Sequence, residues 1–213
     1  MKRCKVNFLA VDTSGNFMSV IAVRDGEVFS SFTPDCAMKH SVLILPQIEE
    51  TLKKARMRLE DCDFFGAVVG AGSFTGIRIG VSAIKGFALA TGKRTLPITS
   101  FDVTAYNTLG KEGKILCLID ALHDCYYACG YEKGEVTLAP AYLTETEVLA
   151  LEKEGYALYA CGNLPIAEKT QITVVTPVTG LVNAAKMLAQ AGAFGELNAL
   201  YVRKSSAEEN LKI

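Results

Sequence analysis

The sequence predicts an α/β protein of two domains in which one structural unit is duplicated. Three observations lead to this fold class. The order β-β-β-α-β-α occurs twice, the two copies align at a constant offset, and a segment containing Asn and Gly separates them. A unit of this kind forms a mixed sheet flanked by helices, so each copy is expected to make one α/β domain.

The first copy begins with short apolar strands and continues into two helices. Asp25-Gly26, between the second and third strands, is a signal for a tight hairpin. Leu45, Ile48 and Leu52 follow the 3–4 spacing of a helix with one buried face. The predicted elements are strands over 6–11, 18–23, 28–32, 67–69 and 95–98, and helices over 41–55 and 75–90.

The second copy repeats this order at an offset of 108 residues. The offset separates Asp12 from Asp120, each at the end of a first strand, and Gly26 from Gly134, each in a turn. Matching at two positions indicates an internal duplication. The predicted elements are strands over 115–119, 126–131, 157–160 and 172–175, a further strand after Lys133-Gly134, and helices over 145–153 and 180–191.

The domain boundary is expected near 105–113, where Asn107, Gly110 and Gly113 interrupt the apolar periodicity. We therefore predict a first domain over 1–105 and a second over 106–193. The remaining segment, 194–213, is expected to pack back on the first domain.

Composition and charge exclude several classes of protein. Half of the residues are apolar, 21% are charged and the net charge is −1, which argues against a large basic surface for nucleic acid or an anionic membrane. No run of 18 apolar residues and no signal peptide is recognisable. The seven cysteines form no CxxC pair and are expected to be reduced thiols. We expect a cytoplasmic protein with no membrane contact.

The two aspartates at the strand ends predict a cleft between the domains. Facing carboxylates suit a metal–phosphate site, because ionised carboxylates hold Mg²⁺ while turn amides hold phosphate. The alternative is that each aspartate caps the turn after its strand. The candidate residues, as the remnant of a nucleotide-binding cleft, are Asp12, Thr13, Ser14 and Asp120.

The segment 70–80 is the most informative stretch of the chain. A strand, a Gly-rich turn and a helix start present backbone N–H groups to an anion, although neither a P-loop nor a dinucleotide motif is present. Gly76, Gly80, Ala83 and Ala90 fall mostly on one helical face, which permits close approach of another helix. Packing inside this domain and a groove for a partner helix both remain open.

Several motifs closely resemble those of the bacterial TsaB (YeaZ) family. They are the runs LAVDTS at 9–14, HS at 40–41, GSFTGIRIG at 72–80 and KG at 85–86, together with YVR at 201–203 and SAEEN at 206–210. The resemblance implies the actin-like and sugar-kinase (ASKHA) ribonuclease-H-like superfold. It also implies a role in placing threonylcarbamoyl on the adenosine next to the anticodon of tRNAs that read codons beginning with A.

The partners follow from the same resemblance. A metal-bearing TsaD-type subunit performs the transfer, the TsaB-type chain pairs with it through first-domain helices, and a TsaE-type ATPase joins the assembly. The chain is then expected to reach tRNA indirectly. ATP and metal are expected to belong to the partner subunits, and no cofactor is expected in the isolated chain.

Departures from catalytic relatives support a non-catalytic subunit. Ser100 and Thr104 occupy positions where the catalytic relative has two histidines, and neither is a competent ligand for a transition metal. Gly162 is a single glycine where the superfold uses a pair to hold adenosine, and Leu122 stands where many relatives have arginine. No HExxH or nucleophile-elbow motif is present.

The two helices over 41–55 and 75–90 are the predicted joining face, which is also expected to allow self-association when the partner is absent. Gly80→Arg is expected to abolish pairing and leave the fold intact. The rival functions are an ATP-dependent phosphotransferase of the sugar-kinase type and, more weakly, a peptidase. The predicted partner-binding residues are Leu45, Ile48, Leu52, Ser73, Phe74, Thr75, Gly76, Arg78, Ile79, Gly80, Ala83 and Phe87.

Overall fold

The structure is a computed structural model that describes residues 6–203. Its first unit is a five-stranded sheet with two long helices. The strands are β1 (Phe8–Asp12), β2 (Met18–Arg24), β3 (Glu27–Thr33), β4 (Phe64–Val68) and β5 (Arg94–Ile98), and the helices are α1 (His40–Ala55) and α2 (Phe74–Thr91).

The first sheet has the strand order β3-β2-β1-β4-β5. β1 pairs antiparallel with β2 and parallel with β4, so the sheet is mixed as the sequence predicts. β2 and β3 are joined by Asp25-Gly26, both at positive φ, which is the turn geometry that suits a right-twisted hairpin. The central strand β1 is buried along its whole length, because helices cover both faces of the sheet.

The second unit repeats this topology. Its strands are β6 (Lys114–Asp120), β7 (Cys125–Glu132), β8 (Glu135–Thr144), β9 (Tyr156–Ala160) and β10 (Ile172–Val174), and its order is β8-β7-β6-β9-β10. The helices are α4 (Glu145–Lys153) and α5 (Pro177–Gln190). The predicted duplication is therefore confirmed at the level of strand order. One element differs, because a short 3₁₀ turn over Pro165–Glu168 stands where the first unit has α2.

The structure differs from the predicted elements at several places. β4 begins at Phe64, three residues before the predicted strand, because Phe64 and Phe65 are both buried and pair with β5. A short helix, α3 (Ser100–Ala105), was not predicted. Thr99 and Asp102 form a reciprocal capping box at its N-terminus, and six residues are too few for a periodic signal.

The two units exchange covering helices. α5 buries Leu181, Ala184 and Ala185 in a cluster with residues of the first sheet, although it belongs to the second copy in sequence. α3 follows the first sheet and buries Phe101 against the second, next to Cys117. The sheets are thus joined through α3 and α5 over a large apolar area. The domain boundary proposed from the sequence stays a prediction.

The segment after α5 lies along the first unit. Leu197 is buried in the cluster formed by α1, α2 and the first sheet, and the Leu200 N–H donates to the Val69 carbonyl at 2.7 Å. Residues 204–213, which include the SAEEN run, lie outside the described residues. No helix between residues 6 and 203 is long and apolar enough to cross a membrane.

Candidate functional site

A cleft of about 1140 Å³ lies between the two sheets. Asp12, at the end of β1, and Asp120, at the end of β6, both line it. The turn before α2 contributes Ala71 and Gly72, and the segment after α5 contributes Arg203. The duplication thus brings two equivalent strand ends to one cavity, because the carboxyl ends of β1 and β6 face each other across it.

The Asp12 carboxyl is almost completely buried. Its Oδ1 accepts hydrogen bonds from the Ser14 N–H at 2.9 Å and from the Ser14 hydroxyl at 2.7 Å. Burial raises the pKa of Asp12 above its ordinary value of 3.8, while the two bonds from Ser14 and the nearby His40 act in the opposite direction. Desolvation is the largest of these effects, so the protein opposes the ionised form of this group.

Asp120 is exposed, and its Oδ1 accepts a hydrogen bond from the Leu122 N–H at 2.8 Å. Asp12 makes the same contact with the N–H two residues ahead, that of Ser14. Each aspartate therefore caps the turn after its own strand, as the alternative interpretation of the sequence expects.

The sequence predicts Thr13 among the cleft residues, but its side chain turns away from the cleft. Its Oγ1 donates to the Gly76 carbonyl at 2.7 Å and is buried. This bond ties the end of β1 to the first turn of α2. The structure does not place Thr13 in the lining of the cleft, because its hydroxyl is bonded to the first turn of α2.

The turn before α2 is fixed by close backbone contacts. The Ser73 N–H donates to the Ser14 carbonyl at 2.7 Å, and the Ser100 hydroxyl lies 2.6 Å from the Ala71 carbonyl and 3.0 Å from the Ser14 hydroxyl. Gly72 has a φ of 142°, and a Cβ there would lie 2.3 Å from the Ser14 carbonyl oxygen. Only glycine fits this position, both for its φ and for its space.

The charge of the cleft is acidic. Among the described residues, the acidic and basic side chains that line it are Asp12, Asp35, Asp120, His123 and Arg203. Within residues 6–203, no group of three or more His, Cys, Asp or Glu side chains is placed to hold a metal ion. An anionic ligand would meet an unfavourable field here unless cations entered with it.

A second surface is formed by the outer sides of α1 and α2, which we call the helix face. It exposes Leu45 at 55% and Phe74 at 39%, together with Ser73, Thr75 and Arg78. Ser73 is also the N-cap of α2, since its hydroxyl accepts from the Gly76 N–H at 3.2 Å. Ile79, Ala83 and Phe87 are half-buried at the edge of the core.

Four predicted partner-binding residues are instead buried inside this chain. Ile48 and Leu52 pack in the core beneath α1. Gly76 and Gly80 lie against β1, where an added Cβ would come 2.1 Å from the Thr13 carbonyl oxygen and 2.5 Å from the Thr13 Oγ1, respectively. The small residues therefore permit close helix–sheet packing. Gly80→Arg is therefore expected to disturb the packing of α2 against β1, whereas the sequence alone suggests that the fold stays intact.

Three exposed apolar residues on or beside the helix face are absent from the set predicted from the sequence. Val42 is 72% exposed on α1, Leu89 is 88% exposed on α2, and Met38 is 95% exposed just before α1. A signal was available for α2, because its 18 residues include only two charged side chains. A helix that is apolar on nearly all sides is usually covered on all sides.

Comparisons with known proteins identify the family of this chain. The family model described as "TsaD: tRNA N6-adenosine threonylcarbamoyltransferase" matches residues 29–205, which is well over half of the chain. The chain belongs to this family. The resemblance to TsaB noted from the sequence is also confirmed by curated relatives.

The curated TsaB relatives match somewhat less than two thirds of this chain. The tRNA threonylcarbamoyladenosine biosynthesis protein TsaB of Escherichia coli (strain K12) is 30% identical over 132 residues, 61% of this chain and 57% of the relative. TsaB of Buchnera aphidicola subsp. Schizaphis graminum is 30% identical over 140 residues, 65% of this chain and 66% of the relative. The chain therefore matches less than two thirds of either relative.

A solved structure shares the fold of nearly the whole chain. A Pseudomonas aeruginosa protein, described as uncharacterized and similar to the peptidase YeaZ, superposes with a TM-score of 0.77 and 23% identity. The match covers 93% of this chain and 100% of that structure. The actin-like fold class expected from the TsaB resemblance is confirmed.

Proposed function

We propose that this chain is the TsaB-type subunit of the assembly that forms threonylcarbamoyladenosine at position 37 of tRNA. In this proposal it is not the catalyst, and it pairs with a TsaD-type catalytic subunit through the helix face. A TsaE-type ATPase joins the pair, and tRNA is reached through the assembly. Membership of the family supports a role in tRNA modification. The names of the TsaB relatives indicate that the modification is threonylcarbamoyladenosine.

The observation behind the pairing is the uncovered apolar surface of α1 and α2. Val42, Leu45 and Leu89 are each more than half exposed, and within residues 6–203 no segment packs over them. Large exposed apolar patches on a soluble domain mark surfaces of association. The central part of a stable interface is apolar in the same way, so this face fits a helical partner.

The environment of the cleft supports a subunit without its own active site. Ser100 and Thr104 bond inside the chain, since the Thr104 hydroxyl donates to the Ser100 carbonyl at 3.1 Å. Burial raises the pKa of Asp12, which disfavours its ionised form and therefore its use as a ligand of Mg²⁺. We therefore assign ATP and metal to the partner subunits.

The test is size-exclusion chromatography with light scattering on this chain, alone and mixed with the TsaD-type protein of the same organism. A one-to-one complex is expected for the wild type and is expected to be lost in Leu45→Glu, which buries a charge in the interface. Val136→Glu is the matched control, because Val136 is 58% exposed on the edge strand β8. Circular dichroism checks that both variants fold.

Either of two results would count against this proposal. Absence of a complex with the wild-type chain contradicts pairing itself. A complex that forms equally well with Leu45→Glu contradicts the helix face.

The phosphotransferase remains a second candidate, since Asp12 and Asp120 line one cleft. It predicts that titration calorimetry detects binding of Mg²⁺–ATP to the isolated chain and that Asp12→Asn removes it. Our proposal expects no binding in either protein.

A further inference from the structure

Arg78 is an uncompensated cation on the helix face. It is the fifth residue of α2, close to the helix N-terminus, where the partial positive charge of the helix disfavours a cation. Among residues 6–203 no carboxylate forms an ion pair with it, and its side chain is exposed. An arginine in this position does not stabilise α2. Its position is better explained by an anionic group outside the chain.

Two aromatic side chains hold Arg78 in a fixed orientation. The guanidinium carbon lies 3.6 Å from the centre of the Phe74 ring, and the Nε–H donates to the Tyr201 hydroxyl at 3.1 Å. The rings of Phe74 and Tyr201 lie 5.0 Å apart. The two terminal nitrogens have no hydrogen-bond partner within the described residues. They are therefore free to form a bidentate contact, for which little further ordering of the side chain is needed.

The surroundings of Arg78 indicate which kind of anion it meets. It borders a shallow cavity of about 470 Å³ whose other lining residues include Ser41, Thr75 and Ser82. The same face exposes Val42 and Leu89, which are apolar. A phosphate backbone brings water and counterions and gains little from apolar neighbours. A carboxylate set among apolar side chains of a protein surface fits this patch.

We propose that Arg78 binds an aspartate or glutamate side chain of the TsaD-type subunit, through its two terminal nitrogens, within the paired helix face. This inference rests on the proposed function, because it needs the pairing to exist. It goes further by assigning a charge to the partner surface. A charged contact inside an apolar interface selects partners that offer a carboxylate at the matching position.

Titration calorimetry of the wild type and three variants with the TsaD-type protein tests the proposal. Arg78→Ala is expected to weaken pairing by about tenfold to a hundredfold, the range for a hydrogen bond to a charged group. Arg78→Lys keeps the charge and loses the planar fork, so an intermediate loss is expected. Arg94→Ala is the matched control, because Arg94 also stacks on an aromatic ring, that of Phe194 at 3.9 Å, away from the helix face.

A charge exchange identifies the carboxylate. Arg78→Glu is expected to abolish pairing, and a Glu→Lys or Asp→Lys change at one position of the partner is expected to restore it. Pairing of Arg78→Ala within twofold of the wild type would overturn the inference while leaving the proposed function intact. Failure of the wild type to pair would overturn both. If Arg78→Ala pairs normally but the assembled pair no longer binds tRNA, the inference is also overturned. Arg78 would then bind a phosphate of the RNA and not a carboxylate of the partner.

Discussion

At the scale of single residues, the protonation of Asp12 in the cleft makes the stability of the protein depend on pH. Its pKa is raised above 3.8 in the folded chain, mainly by burial. The folded protein therefore holds a proton over a pH range in which the unfolded chain has released it. Stability from this group is fully present below the ordinary pKa of the carboxyl and is lost as the pH rises through the folded pKa.

Asp12→Asn is expected to remove the loss of stability that ionisation of Asp12 causes as the pH rises. The Asn side-chain oxygen can still accept the bonds from Ser14, and the amide does not ionise. Urea denaturation of both proteins between pH 3 and pH 8 should show the free energy of unfolding of the variant rising relative to the wild type above about pH 4. A difference that stays constant over the whole range would show that burial of Asp12 does not change its ionisation.

The residues of the cleft were only partly predictable from the sequence. The duplication placed Asp12 and Asp120 at equivalent strand ends, and both line the cavity. The direction of Thr13 follows from strand alternation, but only once the side facing α2 is known. The pairing of Ser14 with Ser100 joins residues 86 positions apart, and no local pattern indicates it.

At the scale of elements, α2 shows why helix bounds are easier to predict than helix faces. The predicted range, 75–90, differs from the observed Phe74–Thr91 by one residue at each end. The apolar residues run around most of the helix, so periodicity alone does not separate the side against β1 from the side in solvent. The three glycines of α2 therefore have different roles that the sequence does not distinguish.

Substituting two of these glycines by alanine should have opposite effects. At Gly80 a Cβ would lie 2.5 Å from the Thr13 Oγ1, so Gly80→Ala is expected to destabilise the protein by about 1–3 kcal/mol through overpacking. At Gly86 nothing lies within 4 Å, so Gly86→Ala is expected to stabilise it by about 0.5–1 kcal/mol through helix propensity. Equilibrium urea unfolding measures both. A neutral or stabilising Gly80→Ala would mean that α2 lies farther from β1 than described.

At the scale of the whole molecule, the two units depend on each other for their cores. α5 packs on the first sheet, and α3 packs on the second. Each sheet is therefore covered by a helix that belongs to the other unit in sequence. The sequence predicted the order of elements and the repeat, because both are local or periodic. It did not predict this exchange, since the choice of covering sheet depends on contacts between residues distant in the chain, such as Val103 with Gly180.

Gly180→Ala tests this dependence, because Gly180 lies where α5 crosses α3. A Cβ there would come 1.9 Å from the Val103 carbonyl oxygen, and backbone at that distance can only move away. We expect a loss of about 1–3 kcal/mol. Hydrogen–deuterium exchange should show protection falling by the same free energy in β1 and in β6, since separating the helices exposes both sheets. Gly195→Ala, with nothing within 4 Å, is the matched control and should leave both unchanged. Protection lost in only one of the two strands would mean that the sheets open independently, and that the exchanged helices do not couple the two units.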